Sequence, residues 1–317
     1  LDSKNTTELL EQARRISWDR FGKKITFYLP GMFTIDGETG RYPALSITGS
    51  SCALNCDHCG ARILETMINV SSPEQLIEEC ETLAKNGALG CLVSGGSNTD
   101  GRMPWDVFAP AIREVKEKTG LFISVHTGLL DGERAHTLKE AGIDQALVDV
   151  VGDQETFSKI YHIDDGFWRI EETLAALKDA GIETIPHIVV GLNYGEISGE
   201  YNALELVSRY GPACLVIVVF MPIAGTKMES VSPPSAEEVA ELIAAARLSM
   251  PNTHISLGCA RPRSKYSERL EELAVDAGVN RMALWSEKAL DRARRYGLDI
   301  QFAKTCCSFP AELGGER

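Results

Sequence analysis

The chain lacks any hydrophobic run long enough to cross a bilayer. Its most apolar stretch, Cys214 to Met221, is less than half of the ~20 residues that a spanning helix needs. The first thirty residues mix charges with apolar positions and hold no signal-peptide core. Neither membrane insertion nor secretion is indicated, so the expected location is the cytoplasm. Positive charge is also scarce: 32 Lys and Arg stand against 45 Asp and Glu, for a net charge of -13. A nucleic-acid backbone is therefore not an expected partner, because phosphate neutralisation needs clustered Lys and Arg. No Pro-, Gly- or Ser-rich linker divides the 317 residues, a length that an α/β barrel reaches as one domain. The chain opens on Leu1 rather than Met, which we read as a trimmed or renumbered start.

What the sequence does hold is cysteine. Nine are present, and in a chain of this kind they are read as reduced ligands and core thiols rather than as a disulfide framework. Three of them, Cys52, Cys56 and Cys59, lie in Ser51-Cys-Ala-Leu-Asn-Cys-Asp-His-Cys-Gly60, just after the apolar run Ala44 to Thr48. That arrangement describes a metal site opening from the end of a strand. Three thiolates from one tight loop hold three irons of a four-iron cluster and leave the fourth iron open to a ligand. The alternatives are a zinc knuckle or three core thiols. Zinc needs a fourth ligand, and although His58 is the nearest candidate, Cys56, His58 and Cys59 are crowded for a tetrahedral set.

An amphipathic helix is expected over about Thr7 to Phe21, followed by a connector through Thr39. After that a unit repeats: a helical pattern, a Gly suited to a left-handed C-cap, and a short β-rich run. The expected strands are Ala44–Thr48, Leu89–Ser94, Leu121–Val125, Gln145–Val150, Glu183–Val190, Cys214–Phe220, Ile255–Leu257 and Asn280–Leu284, with a terminal piece at Asp299–Phe302. The expected helices between them are Pro73–Asn86, Asp106–Thr119, Asp131–Ala141, Gly166–Ala180, Gly199–Tyr210, Ser235–Ser249, Ser264–Ala277 and Ser286–Tyr296. Eight strand–helix units predict an α/β protein built as a (β/α)8 TIM-type barrel, with active groups at the C-terminal strand ends. The expected division is residues 1–40 as helical extension and connector, 41–300 as barrel, and 301–317 as a cysteine-bearing tail.

The Cys-x3-Cys-x2-Cys loop after the first barrel strand resembles the signature of the radical S-adenosylmethionine (radical SAM) superfamily. The resemblance covers roughly Ser46 to Leu284 and is closest to the biotin synthase-like branch. It implies a [4Fe-4S] cluster whose open iron binds S-adenosylmethionine and whose electron yields a 5'-deoxyadenosyl radical. It also implies roles for strand ends. Gly95 and Gly96, in Val93-Ser-Gly-Gly-Ser97, resemble the element that holds the amino group, with Ser97 in place of the usual acid; a plain Gly-Gly turn is the alternative. Asp149 resembles the ribose ligand, whereas Asp153 suits an N-cap better. Val190 and Gly191, in His187-Ile-Val-Val-Gly-Leu-Asn-Tyr-Gly-Glu196, resemble the segment that packs on adenine. Met221, with Pro222, is placed over the adenine face, and the His58 ring is placed near it.

In biotin synthase a second cluster is held inside the barrel, but the matching positions here are Val93 or Ser94, Ser124, Ile185 and His254. The tail offers another set: Cys259 just past the seventh strand and the pair Cys306-Cys307, which converge if the tail folds over the barrel mouth. A second iron–sulfur cluster is expected on Cys259, Cys306 and Cys307, its fourth ligand being Ser308, a sulfide or a substrate atom; free thiols are the alternative. Cys80, Cys91 and Cys214 are read as core residues. This combination resembles the subunits of two-component, archaeal-type lipoyl synthases, which insert sulfur into an octanoyl chain on a carrier-protein lysine. The implied partners are a second radical SAM subunit, an octanoyl-bearing carrier protein or peptide, and an electron donor such as ferredoxin or flavodoxin. No side-chain acid or base is expected to be catalytic, since none deprotonates an alkane carbon. Arg261 and Arg263 are candidates for a carboxylate, His126 and His187 for the lumen lining, and Trp105 and Tyr194 for covering an acyl chain. The rival readings are a single-cluster mutase similar to methylornithine synthase, and a non-catalytic iron–sulfur partner subunit.

Overall fold

The computed structural model describes residues 3–310. Residues 1–2 and 311–317, the extremities of the expected segments 1–40 and 301–317, lie outside the described residues.

Helix α1 (Ser3–Phe21) buries Leu10, Ala13 and Ser17 on one face, as its spacing of apolar residues requires. Strand β1 (Lys24–Tyr28) follows. A hairpin of β2 (Thr34–Ile35) and β3 (Glu38–Thr39) turns at Asp36-Gly37, both in the left-handed region at φ 51° and 81°, as a two-residue hairpin loop demands. Then come β4 (Ala44–Ser46), β5 (Ile68–Asn69), α2 (Pro73–Lys85), β6 (Gly90–Ser94), α3 (Trp105–Thr119), β7 (Phe122–His126), α4 (Gly132–Glu140) and β8 (Gln145–Asp149). The chain continues through α5 (Gln154–Thr156), a π-helical turn over Phe157–Tyr161, α6 (Gly166–Asp179), β9 (Glu183–Val190), α7 (Glu200–Ser208) and β10 (Cys214–Val219). It ends with α8 (Ala236–Ser249), β11 (His254–Leu257), α9 (Lys265–Asp276), β12 (Arg281–Ala283), α10 (Glu287–Arg295) and β13 (Asp299–Ala303). Local chemistry fixes the helix ends: Ser235 and Glu238 close a capping box at α8, and Gly120 ends α3 at φ 65°.

The eleven-stranded sheet runs β13-β1-β12-β11-β10-β9-β8-β7-β6-β4-β5, and its pairings are parallel. It curls until its margins meet: Gly31 N–H donates to the Tyr42 carbonyl at 3.1 Å and Arg41 N–H to that of Lys304 at 2.6 Å. The fold is the expected TIM-type α/β barrel. Four strands lie outside the expected set: β2 and β3 within the connector, β5 at the edge beside β4, and β1. Lys24–Tyr28, expected within a connector, is a strand that lies between β12 and β13, pairing Thr26 with Arg281 and with Gln301.

Two cores result. The larger fills the space between sheet and helices, with Ile25, Leu45, Val93, Ile123, Leu215, Ile217 and Leu257 among its members. The smaller is the barrel lumen, where Tyr28, Leu147, Ile185, Val216, Val218 and Ala283 meet Ala303 and Cys307 of the C-terminal segment. That segment does not fold over the barrel mouth. Phe309 packs on Phe122, the first residue of β7, with ring centroids 4.7 Å apart, and on Tyr42 at 5.4 Å. The tail therefore enters at the N-terminal ends of the strands, and Arg281 donates to the carbonyls of Cys307 and Phe309, both at 3.2 Å.

Candidate radical SAM centre

The cysteine loop leaves β4 in a turn that its own hydroxyls hold. Ser46 Oγ donates to the Gly49 carbonyl at 2.6 Å and Thr48 Oγ1 to that of Ser51 at 2.9 Å. Asn55 takes φ 45°, a conformation its side chain tolerates. Gly60 N–H donates back to the Cys56 carbonyl at 2.8 Å. The result brings one ligand atom each from Cys56, His58 and Cys59 within 4.8 Å of one another. Cys52 faces the neighbouring strand end, where Ser97 N–H points at its Sγ from 3.4 Å. Its hydrogen bond with Cys56, and then the neighbouring His58, lower the Cys59 thiol toward the thiolate form against the opposing effect of burial. A clustered, partly desolvated thiol set with backbone donors fits a thiolate-bound iron–sulfur cluster.

Gly96 is more than a turn residue. Its N–H donates to Thr48 Oγ1 at 2.6 Å, and a Cβ there would sit 2.0 Å from the Ser51 carbonyl oxygen. The Gly95-Gly96 backbone is thus pressed on the cysteine loop. Gly191 is demanded differently: at φ 80°, a Cβ would lie 2.3 Å from Pro234 Cδ, and its N–H donates to Glu200 at 2.7 Å. The Val190 side chain is buried in the outer core, so only its backbone faces the mouth's side of the strand end. Met221 is half-buried just past β10, with Pro222 exposed beside it.

Asp149 is exposed at the end of β8. Its charge acts on His126, His187 and Tyr161, so these groups share the mouth. His126 Nδ1 lies 3.3 Å from Ser94 Oγ, and His187 Nδ1 lies 3.0 Å from the Ile185 carbonyl. The His58 ring packs against Tyr161 at 5.5 Å.

Four residues that the sequence did not single out complete this end. Asp57, between two of the ligand-bearing positions, is buried and accepts from Tyr194 Oη at 2.7 Å, with Lys227 Nζ at 2.7 Å and His162 Nε2 at 3.0 Å from its other oxygen. Burial works against its charge, but Lys227, Tyr194 and His162 outweigh it and keep the carboxyl below its usual range. Three loops are thereby tied to the cysteine loop. A carboxylate inside the cysteine motif was a visible signal; His162, Lys227 and Tyr161 gave none.

Below the mouth, Cys259, Cys306 and Cys307 pack into the lumen core. Cys307 and Ser308 bring Cys306 down to about 6, Ser308 Oγ donating to its Sγ at 3.3 Å. Burial lifts Cys259 to about 11.

Other candidates are placed elsewhere. Trp105 is fully buried and donates to the Thr127 carbonyl at 2.8 Å, so it covers no acyl chain. Arg261 is fully buried against Glu271 at 2.7 Å and bonded to the carbonyls of Gly258, Ala283 and Leu284, which leaves it no carboxylate to recruit. Arg263 donates to the Cys259 carbonyl at 2.7 Å and lies over Phe33. Tyr194 serves Asp57. Cys80 and Cys91 meet at 4.0 Å in the outer core, whereas Cys214 faces the lumen. Ser124 bonds Tyr42 Oη at 2.7 Å and His254 stacks on Phe21.

Comparison with known proteins agrees with this centre. The pattern of the radical SAM superfamily matches residues 46–199, and that of the biotin and thiamin synthesis associated domain matches residues 217–305. The chain is 26% identical over 274 residues to the biotin synthase of Leptothrix cholodnii, spanning 81% of this chain and 78% of that one. To the biotin synthase of Aromatoleum aromaticum it is 28% identical over 249 residues, 76% and 74% of the two chains. In fold it resembles methylornithine synthase (TM-score 0.64, 17% identity, 95% of this chain and 90% of that one). It also resembles the hydrogenase maturase HydG from Carboxydothermus hydrogenoformans (TM-score 0.67, 16% identity, 97% and 74%). The chain belongs to the radical SAM superfamily, in its biotin synthase-like branch, and is a radical SAM enzyme that works with a [4Fe-4S] cluster and S-adenosylmethionine.

Proposed function

We propose that this enzyme inserts sulfur into an unactivated C–H bond, and that its substrate is an octanoyl chain on a carrier-protein or peptide lysine, as one component of a two-component lipoyl synthase. The observation that carries this reading is the seating of Cys259, Cys306 and Cys307 in the lumen, beneath the mouth that the cysteine loop overhangs. When bound, the loop cluster with S-adenosylmethionine supplies a hydrogen-abstracting radical and a lumen cluster supplies the sulfide.

The chain's own residues hold and seclude. Cys52, Cys56 and Cys59 hold the loop cluster, and the backbone of Gly95 and Gly96, Asp149, Val190 and Gly191, together with Met221 and His58, bind S-adenosylmethionine. Cys259, Cys306 and Cys307 hold the lumen cluster. The Ser308 hydroxyl already donates to Cys306, which gives it a hydrogen-bonding role. Phe309 and Tyr42, packed edge to ring at the base, exclude water from the far end of the lumen. The proposed partners are a second radical SAM subunit and an electron donor of the ferredoxin or flavodoxin kind, in the cytoplasm. Among the described residues no helix is long and apolar enough to cross a membrane.

A rival is a single-cluster mutase acting on a small polar metabolite, and the polar group of His126, His187 and Asp149 at the mouth favours it. The two readings separate by metal content. After anaerobic reconstitution, a Cys52→Ala/Cys56→Ala/Cys59→Ala triple variant is expected to keep about half of the wild-type iron and sulfide. A variant with almost none sinks the sulfur-donor reading and puts the mutase ahead.

A further inference from the structure

His126 and His187 have no part in the sulfur-donor reading, yet both face the barrel interior. Strand alternation fixes this. Val93 of β6, Val125 of β7, Val148 of β8 and Ile188 of β9 belong to the outer core, so their chain neighbours Ser94, His126, Asp149 and His187 turn inward as a polar collar. Below the collar the wall is apolar, with Leu147, Ile185, Val216 and Val218 in the lumen core. The collar occupies β6 to β9, whereas Cys259 and the tail thiols come from the other arc of the sheet, after β11 and β13. An acyl chain gripped by its head at the collar is thus free to lie along apolar wall toward the thiols.

His187 is built to grip. It is 8% exposed, and its Nδ1 lies 3.0 Å from the Ile185 carbonyl. A carbonyl only accepts, so Nδ1 carries the hydrogen and Nε2 presents a lone pair. Among the described residues no donor is bonded to that Nε2. The ring is held by one nitrogen and offers the other.

The surroundings decide which donor it takes. Burial first, and His126 next, keep the ring neutral at pH 7 in spite of Asp149, so the collar opposes a buried cation. An anion finds no counter-charge either, because the nearby guanidinium groups are engaged: Arg281 with the Cys307 and Phe309 carbonyls, Arg261 with Glu271, and Arg263 with the Cys259 carbonyl. What remains is a neutral N–H. A secondary amide carries one such hydrogen and no charge, whereas the ester, the thioester and the carboxylate of the same chain carry none.

We propose that Nε2 of His187 accepts the amide N–H of the acyl substrate, which makes the enzyme selective for acyl-lysine over esters and free fatty acids. This rests on the octanoyl reading above and names the atom that recognises the head of that chain. His187 is a specificity-determining residue here, and no proton is transferred.

The test compares three probes by equilibrium dialysis against the anaerobically reconstituted protein with S-adenosylmethionine. They are a short peptide bearing octanoyl-lysine, the same peptide with an ester oxygen in place of the amide N–H, and octanoate. We expect the amide to bind about tenfold more tightly than the ester, with octanoate weakest. His187→Phe keeps a ring and removes the acceptor. It is expected to weaken the amide about tenfold and leave the ester unmoved, so that their ratio falls to about one. His187→Gln, whose side-chain oxygen accepts, restores part of the preference. A merely structural role moves amide and ester together, and that result overturns the proposal. So does a wild-type protein that binds the ester or octanoate as tightly as the amide, a comparison that needs no variant to fold. In both cases the octanoyl reading stands. A wild-type protein that binds none of the three is a different failure, since it removes the octanoyl reading and this inference with it.

Discussion

The imidazoles of His126 and His187 meet edge-on at the barrel mouth, with ring centroids 5.8 Å apart and planes at 87°. Each comes from a different strand, β7 and β9, with Asp149 of β8 between them in sheet order. Burial first, and His126 next, lower His187 to about 4 from an ordinary 6.5, so both rings are neutral near pH 7.

A pH dependence follows from that pair. The folded pKa lies below the unfolded one, so the unfolded chain binds more protons in between, and stability present above about pH 6.5 is lost as pH falls toward about 4. His187→Gln removes that titration. Urea unfolding across this window is expected to show a shallower pH slope for the variant; equal slopes exclude the pair as the cause.

Gly96→Ala tests the contact between the second strand end and the cysteine loop. The new Cβ meets the Ser51 carbonyl at 2.0 Å, so backbone must shift, at a cost of about 1–3 kcal/mol. We expect loss of iron from the loop site and weaker S-adenosylmethionine binding in equilibrium dialysis, with the barrel still folded. Unaltered iron content and affinity contradict this contact.

Much of the architecture was legible because its signals are local. Gly120 lies where a left-handed C-cap ends α3, and α2 begins at Pro73 behind the Ser72 cap. β1 was not legible, because the partners of Lys24–Tyr28 are β12 and β13, some 250 residues later, and nothing in a five-residue run announces a distant neighbour. The cysteine loop was legible from spacing. The inward phase of Cys214 was not: all six residues of β10 are buried, so its hydrophobic pattern carries no alternation to read. Arg261 looked like a surface loop residue because its partner Glu271 lies one helix away.

That buried pair gives a stability prediction. Arg261 and Glu271 are almost wholly enclosed, at 0% and 3% side-chain exposure. Glu271→Ala leaves an uncompensated guanidinium and frees Ser286 N–H, bonded at 2.7 Å. A loss of about 3–5 kcal/mol is expected, read as a lowered urea midpoint. A loss within experimental error of zero denies the pair its role in fixing the loop that carries Cys259.

Asp57→Asn tests the tie among the loops around the cysteines. Removing the charge that Lys227 and His162 face, while keeping an acceptor for Tyr194, is expected to speed iron loss to a chelator and weaken S-adenosylmethionine binding, with little change in the urea midpoint. Iron loss at the wild-type rate argues that the tie is dispensable.

The neighbours of β1 set an order of events in the making of the protein. Lys24–Tyr28 is made some 250 residues before the strands it pairs with, and as long before the tail that plugs the lumen behind Tyr42. Barrel closure has to wait until those later residues have been made, and such long-range pairing folds slowly. Until then the inward-facing Ile185, Val216 and Val218 lack the Ala303 and Cys307 that complete their core, so the interior of the barrel is finished from below, by the tail.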